Sequence, residues 1–246
     1  MTATTSILLL DARGVMRDNV MLYNVGISLV GTCIIAGLGL SHAGDPAWLA
    51  WYPFLIITAI ITNPSGYGFL FGLLMVDEKD TGVRSALSVS PVRPTTMLTV
   101  RMVTSTTLMI IWPVTSLLMM DATWKAIPVS HIQLLAIVVM LAPVAPLTAL
   151  SVASYAANKV EALAVFKGIS FVVIAPLALK FIAEDAAFRP LFLLSPTAWG
   201  YFSFDAFIAG NAVGGYLYVA GGLIYCCVLL ALTVRYYLRK AYKIET

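Results

Sequence analysis

Charge is scarce in this sequence. Asp, Glu, Lys and Arg together make 11% of its 246 residues, while 60% are hydrophobic. Soluble domains carry roughly 25% charged residues and about 45–50% apolar ones. A water-soluble core cannot hide this much apolar surface, so lipid must solvate much of the chain. Cysteine is also rare: Cys33, Cys226 and Cys227 all fall in apolar runs. Their spacing makes neither a metal pair nor a disulfide framework, and they read as small packing residues. The two histidines, His42 and His131, stand singly at the ends of hydrophobic runs. There is no GxxxxGK[ST] phosphate loop, which excludes the ATPase reading, and no HExxH or GxSxG, which leaves no hydrolase constellation. Asn63-Pro64-Ser65 has the proline that forbids glycosylation. The apolar run Ile7–Leu10 is too short for a cleavable signal and runs into Asp11 and Arg13.

What is present is a series of long apolar runs. They place spans near 20–40, 48–76, 97–120, 131–154, 162–183 and 215–238. Asn63-Pro64-Ser65-Gly66 in the second span and Pro176 in the fifth predict a kink or local unwinding. Basic residues set the orientation. Only Lys125, Lys180 and Arg189 of the 15 Lys and Arg lie on one side. The others lie with the N-terminus (Arg13, Arg17), around the loop from span two to three (Lys79, Arg84, Arg93, Arg101), after span four (Lys159, Lys167) or at the C-terminal end (Arg235, Arg239, Lys240, Lys243). Both termini are therefore expected in the cytoplasm, with an even number of spans. Residues 191–208 are apolar enough to resemble a seventh span. Crossing there would place the C-terminal basic cluster outside, so the region 184–214 is read as short helices in the outer leaflet.

The fold expected is an all-α membrane protein of six transmembrane helices, a single transmembrane domain over 1–246. Residues 1–18 form an interfacial helix: Leu8, Ala12, Val15 and Met16 share one side, with Asp11, Arg17 and Asp18 on the other. The longest polar insertion is Asp77–Pro94. Carboxylates at its start (Asp77, Glu78, Asp80) favour a helix N-terminus. Val83, Ala86, Leu87 and Ser90 make a helical stripe, and Ser90-Pro91 and Arg93-Pro94 end it. The residues alone read equally as a short amphipathic helix offered to a soluble partner and as a solvated reversal of the chain.

The run Glu78-Lys79-Asp80-x-Gly82, followed by Leu87 and Ser90-Pro91, resembles the signature of ABC type-2 transporter permeases. In that family an acidic-basic-acidic-x-Gly run, then Leu, then Ser/Thr-Pro, joins spans two and three. Glutamate-lysine, leucine and Ser-Pro-Val-Arg-Pro resemble most the permeases of fluoroquinolone-export type. Val83 departs from the family's usual Thr or Ser after the glycine. The resemblance implies a membrane subunit of an ATP-driven exporter, paired with a second permease, identical or paralogous, and resting on cytoplasmic ATPases. The chain would bind no cofactor, ATP-Mg lying on the ATPase. Its partners would be that ATPase, the second permease and membrane lipid, with no nucleic acid. Glu78, Lys79, Asp80, Gly82, Leu87, Ser90 and Pro91 would couple to the ATPase. Spans two and five would line the substrate path, placing Asn63, Tyr67 and Phe171 near an amphipathic drug-like or lipid-like substrate. The competing readings are a secondary transporter driven by an ion gradient and a non-catalytic membrane scaffold. The absence of Asp or Glu from mid-span positions counts against the secondary transporter.

Overall fold

The computed structural model describes residues 3–42, 44–81, 94–125 and 128–242, and among these it is helical with no strands. Helix α1 (Ala3–Arg17) precedes α2 (Asn19–His42), the first span. A single turn, α3 (Pro46–Leu49), leads into α4 (Tyr52–Asp80), the second span, and α5 (Pro94–Trp124) is the third. The fourth is built from α6 (His131–Leu141) and α7 (Val144–Tyr155). The fifth is α8 (Lys159–Ile174) with a 3₁₀ continuation, Ala175–Phe181. Another 3₁₀ segment (Arg189–Leu194) and α9 (Ala198–Ile208) follow, before α10 (Ala212–Tyr242), the sixth span. Six of the described helical segments are long and apolar enough to cross a membrane, and residues 191–208 are not among them.

Spans two and four form the buried centre, and spans one, three, five and six surround them. Glycine permits that central pairing. A Cβ on Gly68 would collide with the carbonyl oxygen of Ala145 and lie 2.6 Å from Thr148 Cβ. One turn on, a Cβ on Gly72 would lie 2.9 Å from Val152 Cβ. Small residues at this spacing let two helix backbones approach closely where lipid supplies no hydrophobic drive. At one end Tyr52 stacks on Trp124, with centroids 4.5 Å apart. The Trp124 indole N–H donates to the Ile35 carbonyl at 3.0 Å, so spans one, two and three are joined there.

Prolines act differently in different spans. Pro64 leaves span two helical throughout, so of the kink or local unwinding expected there, the unwinding does not occur. Its surroundings support the helix: the Asn63 side-chain amide donates to Ala59 O and Ser65 Oγ to Thr62 O (2.9 Å), while Asn63, Pro64 and Ser65 are all buried. Pro176 does change the geometry, since α8 gives way to 3₁₀ helix at Ala175. Span four breaks at Ala142 and Pro143, which the hydropathy profile does not show.

Residues 189–208 fold back against spans four and six. The Thr197 hydroxyl donates to Val173 O at 2.6 Å, and the Trp199 indole lies over Gly221 and Gly222 of span six. In α1 Leu8, Ala12 and Met16 are exposed and turned away from the protein, but Val15, expected on the same stripe, packs against the core on the side where Ile7 and Asp11 are buried, because it lies one turn from Asp11. That arrangement suits a helix lying on a membrane with its apolar face to lipid.

Candidate functional site

The insertion between spans two and three is the segment with the most chemical information, and its roots are well defined. Span two runs on through Asp80, and Thr81 caps its C-terminus through a bond from its N–H to Asp77 O. Asp77, Glu78 and Asp80 therefore end a spanning helix instead of opening a new one at Asp77. Carboxylates at a helix C-terminus face the negative end of its dipole, so they need partners from elsewhere in the fold.

Arg101 supplies the main one. It lies two turns into span three and is only 4% exposed. Its guanidinium forks twice. Toward Asp11 of α1, Nε and Nη2 donate at 3.0 and 2.5 Å. Toward Glu78 of span two, Nη1 and Nη2 donate at 2.7 and 2.6 Å. Planar two-pronged pairing of this kind is what arginine provides and lysine does not.

A second set lies at the same end. Lys159, which opens span five, bonds Asp18 at 2.7 Å and Asp77 at 2.9 Å. Asp18 also caps span one, accepting from the backbone N–H of Val20 (2.8 Å) and Met21 (3.2 Å). Lys79 donates to the carbonyl of Ala156, the residue that caps the end of span four, at 3.1 Å. The interfacial helix and spans one to five are thus tied by charge around the roots of one loop.

Partial burial pushes the Asp18 carboxyl up, but the bonds from Lys159, Met21 and Val20 outweigh it and hold the group below the ordinary carboxylate range. A depressed carboxyl contributes stability at neutral pH that is lost as the pH falls through its folded value. The melting temperature in detergent should therefore drop between pH 7 and pH 3, and less so in Asp18→Asn, which keeps the cap but not the charge. At pH 7 that substitution should cost about 1 kcal/mol or less, because Lys159 is well exposed to solvent. Equal acid sensitivity in both proteins would show that the pair contributes nothing.

The residues expected to couple to a partner divide into two groups. Glu78 and Lys79 are engaged as described, and Asp80 is exposed. Gly82, Leu87, Ser90 and Pro91 lie outside the described residues, as does the rest of the amphipathic stripe. The three residues expected along a substrate path do not meet within this chain. Asn63 and Tyr67 are buried in span two, with Tyr67 edge-on to Trp112 at 6.4 Å. Phe171 is 78% exposed on the outside of span five. Sequence reasoning counted Arg101 only as a basic residue and placed Asp11 on a polar face. The signal was there: an arginine one turn inside an apolar run calls for a buried partner.

A family model described as fluoroquinolones export permease protein Rv2686c-like matches residues 11–234. No curated protein matches the chain.

Proposed function

The chain belongs to the fluoroquinolone-export permease family, and from that premise we propose that it is the membrane subunit of an ATP-driven exporter, working as a pair of permeases on a separate cytoplasmic ATPase. Multiple membrane spans and export through a permease come with the family and the six apolar helices. ATP coupling, pairing, an amphipathic drug-like or lipid-like substrate, the inner membrane and cytoplasmic termini make up the proposal. The observation that supports it best is the charge framework at the roots of the loop after span two. A soluble motor that moves membrane helices needs a handle fixed to several of them. Arg101 and Lys159 fasten that loop's base to α1 and to spans one, two, three and five.

In this reading residues 82–93 dock on the ATPase, with Leu87 as the apolar anchor. Losing such an anchor costs about 2 kcal/mol or more, over tenfold in affinity, and Leu87→Asp costs more by burying an unpaired charge. Leu87→Asp should reach the membrane at the normal level yet lose ATPase-dependent export by over tenfold. Glu78→Ala should show a smaller loss, because Asp11 still pairs with Arg101. Purification with a nucleotide-binding subunit, followed by export assays in vesicles, tests the whole proposal. Normal export by both variants, or ATP hydrolysis by the purified chain alone, would refute it.

A further inference from the structure

The described cations at the loop-side end are not all neutralised by described residues. Arg101 and Lys159 are ion-paired and Lys79 caps a carbonyl. Arg235 and Arg239, near the end of span six, are exposed and have no ion-pair partner among the described residues. They lie one turn apart on the same face of the helix. That face points away from the bundle, because Val234 and Tyr237 pack the other side against Met75, Leu98 and Leu150.

The rest of the face is an apolar track. Ile224, Val228 and Leu232 are 66%, 52% and 60% exposed and align below the two arginines. The rise from Ile224 to Arg235 is ~16 Å, close to half of a hydrocarbon core ~30 Å thick. A chain lying along this track would end where the arginines begin. Beside them, Tyr155 and Tyr236 stack at 5.7 Å, with the Lys240 ammonium over both rings at 5.5 and 5.9 Å. Tyrosines paired with a lysine in this way mark the level of the lipid headgroups, and they hold Lys240 toward span four.

We propose that Arg235 and Arg239, with the track Ile224–Val228–Leu232 beneath them, form a binding site for an anionic phospholipid, its phosphate between the two guanidinium groups and an acyl chain along the helix. Two forked cations one turn apart can present several donors to one phosphate. The aliphatic track fits a diacyl lipid and gives a free anion nothing to hold. This site is separate from the loop framework and does not depend on the proposed ATP coupling.

The test is lipid retention by the full chain in detergent, read by native mass spectrometry with phosphatidylglycerol and phosphatidylcholine supplied in equal amounts. Two basic residues at a membrane surface should give about a 30-fold preference for the anionic lipid. Arg235→Gln with Arg239→Gln should reduce that preference to within about threefold without changing the melting temperature, since both side chains are exposed. Arg13→Gln with Arg17→Gln, removing two exposed cations from α1 at the same end, should leave most of it. No preference in the unaltered protein would overturn the proposal, as would equal loss in the two double variants. Displacement of the lipid by inorganic phosphate would overturn it too, by showing an ion site. If the Arg235/Arg239 variant kept its lipid but lost a co-purifying ATPase subunit, the face would be a protein contact and the proposal would fail.

Discussion

Arg101→Met should destabilise the protein by about 3–5 kcal/mol, the cost of breaking a buried ion pair by removing one partner. The arginine is almost fully buried, and two carboxylates depend on it. Methionine fills much of the same space, so the loss reports charge and not a cavity. Asp11, with a side chain 10% exposed, would carry most of the penalty, because Glu78 keeps more contact with solvent. The melting temperature in detergent and the folded amount in the membrane should both fall. Neutralising the carboxylates as well, with Asp11→Asn and Glu78→Gln, should restore at least half of the loss, since no buried charge then lacks a partner. That triple variant separates two roles. Export recovered with stability would make the cluster a brace. Stability recovered without export would make it the link by which α1 and the loop move together. A single variant as stable as the parent would show that the cluster is solvated.

Gly68→Ala should be the most harmful single-methyl addition in the central pair. The new carbon would meet the Ala145 carbonyl, which belongs to the backbone and cannot rotate aside. Spans two and four would have to part, and overpacking of this kind costs about 1–3 kcal/mol. Gly72→Ala should cost less, because its nearest contacts, Val152 Cβ at 2.9 Å and the Ala149 carbonyl oxygen at 3.1 Å, leave more room. Gly168→Ala and Gly37→Ala have open space around the added carbon and should be neutral or slightly stabilising. The order of the four melting temperatures is the measurement. If Gly68→Ala matched Gly168→Ala, the close contact between spans two and four would not exist.

The six spans were legible because lipid demands long apolar runs and hydropathy reports them directly. Hydropathy alone would have counted residues 191–208 as a seventh span; the placement of the basic residues kept them out. Breaks within spans were less legible. Pro64 and Pro143 look alike in sequence, yet one sits inside a continuous helix and the other ends one. Around Pro64, Asn63 and Ser65 bond the neighbouring turn of backbone; the difference is one of surroundings, and sequence does not display surroundings. The acidic run at Asp77 was misjudged for a related reason. Carboxylates suit a helix start, and only the fold reveals that Arg101 and Lys159 are close enough to hold them at a helix end. Asp11 and Arg101 are 90 positions apart, with no local pattern joining them. The signature between Glu78 and Pro91 is local in sequence, so the family resemblance needs no long-range contact to be seen.

The 3₁₀ continuation of span five has a consequence for reach. An α-helix rises 1.5 Å per residue and a 3₁₀ helix about 2.0 Å. Lys159 and Lys180 sit near the two ends of this span. Wound as α-helix throughout, the rise between them would be ~32 Å; with the last part drawn out as 3₁₀ helix it becomes ~35 Å. Against a hydrocarbon slab ~30 Å thick, the drawn-out form leaves both ammonium groups in water with a few ångströms to spare, even when the helix leans. Rewinding that tail would shorten the span by ~3 Å and pull one of its lysines toward the oil, so the position of Pro176 sets the length of the span as well as its bend.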